Sequence, residues 1–201
     1  MKTLFTALPV AALLGLGVMA QNADAAPEVY AFDKTHTEIR ASWMHLGFSR
    51  QAVSFTRYDG ELLLDFDTPS ASTIDITFDL IDGLYVGPNQ ERFIDHLNAA
   101  DLFDTGRFPA ARFVATGFET EDGVSGVMTG DLTLLDQTHP IRLDVTLNRR
   151  ATHPLSGKPT AGFTATGTIT RSQWGLDYAV PAVSDEIWIE INAELNRAIT
   201  E

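Results

Sequence analysis

Five histidines are the residues of this chain best suited to acid–base or metal chemistry, and their spacing organises neither. His36, His45, His96, His139 and His153 form no His-x-His pair and have no cysteine to join them. They also lack the His-Glu-x-x-His arrangement that puts two imidazoles on one helix face. No metal site is expected. Gly123-Val124-Ser125-Gly126 is one residue short of a Gly-x-Ser-x-Gly nucleophile elbow and reads as a hairpin flank. Gly-rich phosphate loops with a lysine do not occur. Carboxylates are abundant, but Asp75, Asp79, Glu190 and Glu194 fall on the polar faces of alternating segments, where solvation is their ordinary role.

Three residues stand apart. His45 continues an apolar face formed by Ile39, Ala41 and Trp43, where a polar side chain needs a partner or a ligand. Arg171 closes an alternating segment as a cation near a rim, placed to pair with Asp177 or Asp185 or to meet an anionic headgroup. Trp174, in Arg171-Ser172-Gln173-Trp174-Gly175, suits either a cap over a cavity or ordinary core.

The elements that must position these groups are strands. From Ala161 onward Phe163, Ala165, Gly167 and Ile169 share one face and Thr164, Thr166, Thr168 and Thr170 the other. Ile187, Ile189, Ile191, Ala193 and Leu195 repeat the scheme against Glu186, Trp188, Glu190, Asn192 and Glu194. Upstream, alternation predicts strands at Glu28–Phe32, at Glu38–Leu46, over Leu62, Leu64 and Phe66 after a Tyr58-Asp59-Gly60 turn, and over Ile74, Ile76, Phe78 and Leu80. It continues over Phe113, Ala115 and Gly117. Beyond an Glu121-Asp122-Gly123 turn it runs over Gly126 to Leu134, and past Thr138-His139-Pro140 over Ile141, Leu143, Val145 and Leu147. The exception is a helix expected over 88–100, opened by Gly87-Pro88, with Phe93, Ile94, Leu97 and Ala100 on one face and Arg92, Asp95 and His96 on the polar side.

About eight antiparallel strands with one apolar face close either as an up-and-down barrel or as a flattened two-sheet sandwich, and periodicity does not separate the two. The inner face carries Ala41, Ala115, Gly117, Gly126, Gly130, Ala165, Gly167 and Ala193. So many small residues fill a barrel poorly at protein packing density, which predicts a cavity if the sheet closes as a barrel.

The first residues are set aside from the fold. Met1-Lys2, the apolar run Leu4–Met19 and Ala23-Asp24-Ala25 have the order of a secretory leader, expected to span 1–25 and to leave one domain over 26–201. The run is shorter than the roughly 20 apolar residues of a spanning helix, and Pro9, Gly15 and Gly17 interrupt it. A stable membrane anchor is therefore not expected. The net charge of −13 disfavours nucleic-acid backbones and anionic membrane surfaces. The absence of cysteine removes disulfides and thiol lipidation.

At these residues the chain resembles the YceI-like family, lipocalin-like polyisoprenoid-binding proteins often secreted to the bacterial periplasm. The pieces are Ile39 with His45-Leu46-Gly47-Phe48-Ser49, then Phe55, Asp59-Gly60, His96-Leu97 leading to Ala100-Asp101-Leu102-Phe103-Asp104, and Phe108-Pro109 before Phe113. Gly130-Asp131-Leu132-Thr133-Leu134, Thr138-His139-Pro140-Ile141, Ala161-Gly162-Phe163, Thr170-Arg171-Ser172, Trp174-Gly175 and Val183-Ser184-Asp185-Glu186 follow in order. Two departures are Arg92-Phe93-Ile94-Asp95, where a charged stretch commonly precedes His-Leu, and Asp136-Gln137, where a glycine turn is usual.

The resemblance implies an all-β, antiparallel, eight-stranded lipocalin-like barrel whose short helix covers an end. It further implies a tunnel holding a long-chain lipophile such as an isoprenoid quinone, a polyprenyl chain or a fatty amide. Alternation and resemblance together nominate Ile39, Ala41, Trp43, His45, Phe48, Phe93, His96, Leu97, Phe103, Phe113, Ala165, Ile169, Arg171 and Trp174 as ligand contacts. No cofactor and no catalysis are called for, a homodimer is compatible with the chain, and the leader with the resemblance implies the periplasm. Two other readings stay open. One is a barrel enzyme with His45 or His96 as acid/base on an apolar substrate; the other is a closed interaction protein with a filled interior.

Overall fold

A computed structural model describes residues 26–198, so the expected leader over 1–25 lies outside the described residues. The strands are β1 (Glu28–Phe32), β2 (Glu38–His45), β3 (Ser49–Phe55), β4 (Tyr58–Leu64), β5 (Thr73–Asp79) and β6 (Leu84–Tyr85), followed after the helix α1 (Glu91–Asn98) by β7 (Ala110–Thr120), β8 (Ser125–Leu134), β9 (Gln137–Thr152), β10 (Pro159–Thr170) and β11 (Glu186–Arg197). All pair antiparallel, in the order β1-β4-β5-β7-β8-β9-β10-β11, and β11 pairs back with β1 to close the ring.

The register shows why eleven strands make an eight-stave barrel. β1 and β2 lie end to end along the same edge of β11, with Phe32 opposite Leu195 and Ile39 opposite Ile191. β4 and β3 follow them in the same way, as Leu62 pairs with Tyr30 and Ser54 with Arg40. β5 and β6 form the third interrupted stave, with Ile74 opposite Leu62 and Leu84 opposite Phe55. Each interruption is a local turn. At the first, the Asp33 carboxylate accepts from the Thr35 backbone N–H at 3.0 Å and its hydroxyl at 2.6 Å, satisfying donors that leave the ladder there.

The eight-strand barrel expected from the sequence is therefore present, assembled differently in three places. β3 was not anticipated. Tyr58-Asp59-Gly60 is strand instead of turn, and Gly60 is required because a Cβ there would sit 2.0 Å from the Asp75 carbonyl. Thr138-His139-Pro140 lies inside β9, and the chain reverses at Leu135 and Asp136, whose φ values of 48° and 61° make the two-residue left-handed turn that matches strand twist.

Outward positions carry charge, including the bidentate Arg112–Asp75 pair across β5 and β7, where Arg112 Nε donates to Asp75 Oδ1 at 2.8 Å. Among the described residues no helix is long and apolar enough to cross a membrane. The link from β6 to β7 carries α1, shorter than the 88–100 expected, and Phe93, Ile94, Leu97, Leu102 and Phe103 of that link pack on the main core.

Candidate functional site

Apolar side chains from all eight staves enclose one continuous cavity of about 600 Å³, within the size range of sites that bury small organic ligands. Along β11 every inward residue from Ile187 to Leu195 lines it, about 26 Å of strand at 3.3 Å per residue. Leu62, Leu64, Ile76, Phe113, Met128, Leu143 and Phe163 add to a wall that is hydrocarbon and aromatic almost throughout the middle. Polar and exposed groups reach it at the two ends and, at mid-height, at Arg40 of β2 opposite Glu190 of β11.

At the α1 end these are His45, Leu46, His96, Tyr178, Ala179 and Val183. The His96 ring meets Tyr178 edge-on with centroids 5.2 Å apart, and Trp43 tilts against Phe93 at 6.1 Å. Among the described residues neither the His45 nor the His96 imidazole has a side-chain hydrogen-bond partner. At the far end the lining is Asp65, Phe66, Glu119, Thr120, Val124 and Ser125.

Of the residues nominated from the sequence, Ile39, Ala41, Trp43, His45, Phe93, His96, Leu97, Phe103, Phe113, Ala165, Ile169 and Arg171 line this cavity. Phe48 does not. It sits at the tip of the β2–β3 turn, 90% exposed, because the chain reverses there after His45. Trp174 is also outside the cavity: it is core, 1% exposed, its indole N–H donating to the Leu132 carbonyl at 2.9 Å and its ring edge-on to His139.

Arg171 corrects a second expectation. It pairs directly with neither Asp177 nor Asp185. Its Nε donates to the Ser184 carbonyl at 2.9 Å, Nη2 to Tyr178 and Val183 carbonyls at 3.0 Å each, and Nη1 to the Leu176 carbonyl. Burial draws its pKa down and the charges of Asp185 and Asp177 hold it up. Asp185 instead accepts from the Ser172 N–H and hydroxyl. The guanidinium thus gathers the 176–184 loop around one buried cation.

The small inner residues behave unequally. Ala165 faces the cavity, but Gly167 and Gly130 are covered: a Cβ at Gly167 would meet Leu143 Cδ2 at 2.7 Å, and one at Gly130 would meet Phe113 Cζ at 2.3 Å. Gly117 points outward toward Thr129, because the β7–β8 register slips between Ala115 and Gly117 and brings Phe118 inside. Phe118 and Phe55 are lining residues the sequence reading missed. A glycine within a strand signals such a bulge and would have found the first; the Val53–Phe55 alternation would have found the second.

One group of metal-ligand type occurs among the described residues: Asp33, His36 and Glu194, whose ligand atoms lie within 4.8 Å of one another outside the cavity. The Thr35 hydroxyl and His36 hold the Asp33 carboxyl well below the usual carboxylate range, and Asp33 in turn raises the His36 pKa.

The model of the YceI-like domain matches residues 30–195, the whole barrel from β1 into β11. The chain belongs to the YceI-like family. Protein YceI of Escherichia coli (strain UMN026) is 31% identical over 187 residues, covering 90% of this chain and 95% of that protein. The crystal structure of Burkholderia cenocepacia BcnA has the same fold at 18% identity, with a TM-score of 0.71 over 82% of this chain and 99% of that one. A polyisoprenoid binding domain from Saccharophagus degradans, implicated in plant cell wall breakdown, shares the fold at 12% identity and a TM-score of 0.58, covering 85% of this chain and 99% of that one.

Proposed function

We propose that this YceI-like protein binds a long-chain lipophile in the barrel, as a periplasmic carrier, store or scavenger. An isoprenoid quinone, a polyprenyl chain and a fatty amide are the ligand classes that fit. The observation that carries this reading is the continuous cavity, lined along its middle almost wholly by hydrocarbon and aromatic side chains, with Arg40 of β2 the one charged residue at mid-height and the other polar groups at its ends. Such a wall selects for methyl and methylene groups along its length, and each buried methylene contributes about 0.8 kcal/mol. Tail length is then weakly discriminated, while His45, His96 and Tyr178 at one end offer the polar contacts for a headgroup. The YceI-like relationship and the fold shared with a polyisoprenoid binding domain support the same class.

The test is extraction of the protein, purified from its native host, into organic solvent followed by mass spectrometry. A lipid in stoichiometric amount is expected. Absence of any such lipid, together with failure of the purified protein to take up added quinone, overturns the reading.

A further inference from the structure

We infer that the α1 end of the barrel is a docking surface for a neutral, zwitterionic bilayer, through which cargo enters the cavity without crossing water; this rests on the lipophile reading above. Two loops beside α1 form the outer tip of that end. The β2–β3 turn, His45 to Ser49, and the segment Tyr178 to Ser184 are held together: Leu46 N–H donates to the Ala182 carbonyl at 3.0 Å, Ser184 N–H to the Met44 carbonyl at 2.9 Å, and His45 bridges to Val183.

Their surface is apolar and outward. Phe48 is 90% exposed, Leu46 50% and Tyr178 46%, beside exposed Ala179, Pro181 and Ala182. Leu46 and Ala179 adopt φ values of 52° and 57°, a region that L side chains with a Cβ ordinarily avoid. Backbone of this kind at an apolar tip indicates that the surrounding contacts impose it. Leu46, Tyr178, Ala179 and Val183 also line the cavity, so the exposed patch and the lipophile-compatible interior are one surface.

Charge identifies the partner. Neither loop contains Asp, Glu, Lys or Arg over these spans, in a chain of net charge −13; the charges of this end lie outside them, Arg50, Asp177 and Asp185 at the loop edges and Glu91, Arg92 and Asp95 on α1. The opposite end has Asp65 and Glu119 in the lining, with Asp67, Glu121 and Asp122 beside them. An acidic body is repelled by anionic lipid and has no basic cluster here to reverse that. An uncharged aromatic and aliphatic tip fits the interface of a neutral bilayer, where such side chains gain by burial. The acidic end does not.

The experiment uses the mature chain, phosphatidylcholine vesicles carrying an isoprenoid quinone, and the variants Phe48→Asp, Phe48→Leu and Phe48→Trp. Phe48 does not line the cavity, so quinone uptake from detergent is expected to be the same in all of them. From vesicles, the uptake rate is expected to rise with vesicle concentration, to fall about tenfold or more in Phe48→Asp, and to persist in Phe48→Leu, since the lost burial of one aromatic side chain is of that size. Without cargo, brominated phosphatidylcholine vesicles are expected to quench Phe48→Trp beyond the parent, whose signal comes from Trp43, Trp174 and Trp188.

Equal vesicle uptake in Phe48→Asp and the parent, a rate independent of vesicle concentration, or quenching no greater in Phe48→Trp than in the parent overturns the docking surface. Failure of the parent to take up quinone from detergent overturns the lipophile reading instead, and the quenching result then judges the docking surface alone.

Discussion

The Phe113 ring occupies the space a side chain on Gly130 would need: across the β7–β8 pair, a Cβ on Gly130 would lie 2.3 Å from Phe113 Cζ and 2.7 Å from the Val114 carbonyl oxygen. Gly130 is thus a notch that draws an aromatic ring back into the wall, and the width of the cavity at that level depends on it. Gly130→Ala is expected to fold, to lose about 1–3 kcal/mol in denaturant unfolding as overpacked cores do, and to take up less lipophile as the ring moves into the lumen. Adding Phe113→Leu restores part of both. An unchanged unfolding midpoint in Gly130→Ala would show that the ring yields without cost and that the notch is not what sets the width.

Ala165 is the complementary case, a small residue whose side chain faces open cavity between Val145 of β9 and Ile191 of β11. Ala165→Trp is expected to fill the cavity at mid-height and abolish quinone uptake, with the far-UV circular dichroism of the barrel retained. Uptake persisting in a folded variant would place the ligand elsewhere. Gly167 cannot serve for this test, because Leu143 already stands over it.

These two positions also show what in the sequence was legible. Alternation alone identified the long continuous strands, since a residue such as Ile189 or Ala193 on a regular strand has its face set by parity. It failed where parity breaks. The slip between Ala115 and Gly117 turned Gly117 out and Phe118 in, and the β1–β2 and β3–β4 interruptions hid two staves inside shorter segments. Turn chemistry misled for a related reason: Gly60 is present for close approach to the Asp75 carbonyl, and Pro140 is tolerated within β9 opposite Asp131. Twelve of the nominated site residues line the cavity because they sit on regular strands, α1 or the ends adjoining them. Phe48 was misplaced because motif order says nothing about which side of a turn is solvent. Whether Gly130 widens or narrows the hole was not legible at all, as it depends on a cross-strand neighbour's rotamer.

The Asp33–His36 contact, 3.1 Å between Oδ2 and Nδ1, gives a pH signature. The Thr35 hydroxyl first and His36 second lower the Asp33 pKa, so this stabilisation is present above the unfolded carboxylate value and is lost as pH falls through the folded one. Asp33 raises His36, so that contribution is present below the unfolded imidazole value and lost as pH rises through the folded one. Both act together between roughly pH 4 and 6.5. His36→Gln is expected to lower Tm at pH 5 and to leave it unchanged at pH 9, with the difference shrinking in high salt because the pair is on the surface. Equal Tm loss at both values would make the contact a neutral hydrogen bond.

The geometry around Arg171 separates charge from shape. Its donors diverge to the carbonyls of Leu176, Tyr178, Val183 and Ser184, and Asp185 and Asp177 supply charge without touching it. A lysine keeps the charge but cannot present a planar fork to several carbonyls at once. Arg171→Lys is therefore expected to be nearly as damaging as Arg171→Met. Each should cost on the order of 3 kcal/mol from the orphaned carbonyls and speed hydrogen exchange selectively over 176–184. The same loop contributes Tyr178 and Val183 to the cavity wall, so lipophile affinity should fall in parallel with the exchange. Full rescue by lysine would mean that the cation balances Asp177 and Asp185 and that loop order comes from Ser172–Asp185 and the contacts with the β2–β3 turn.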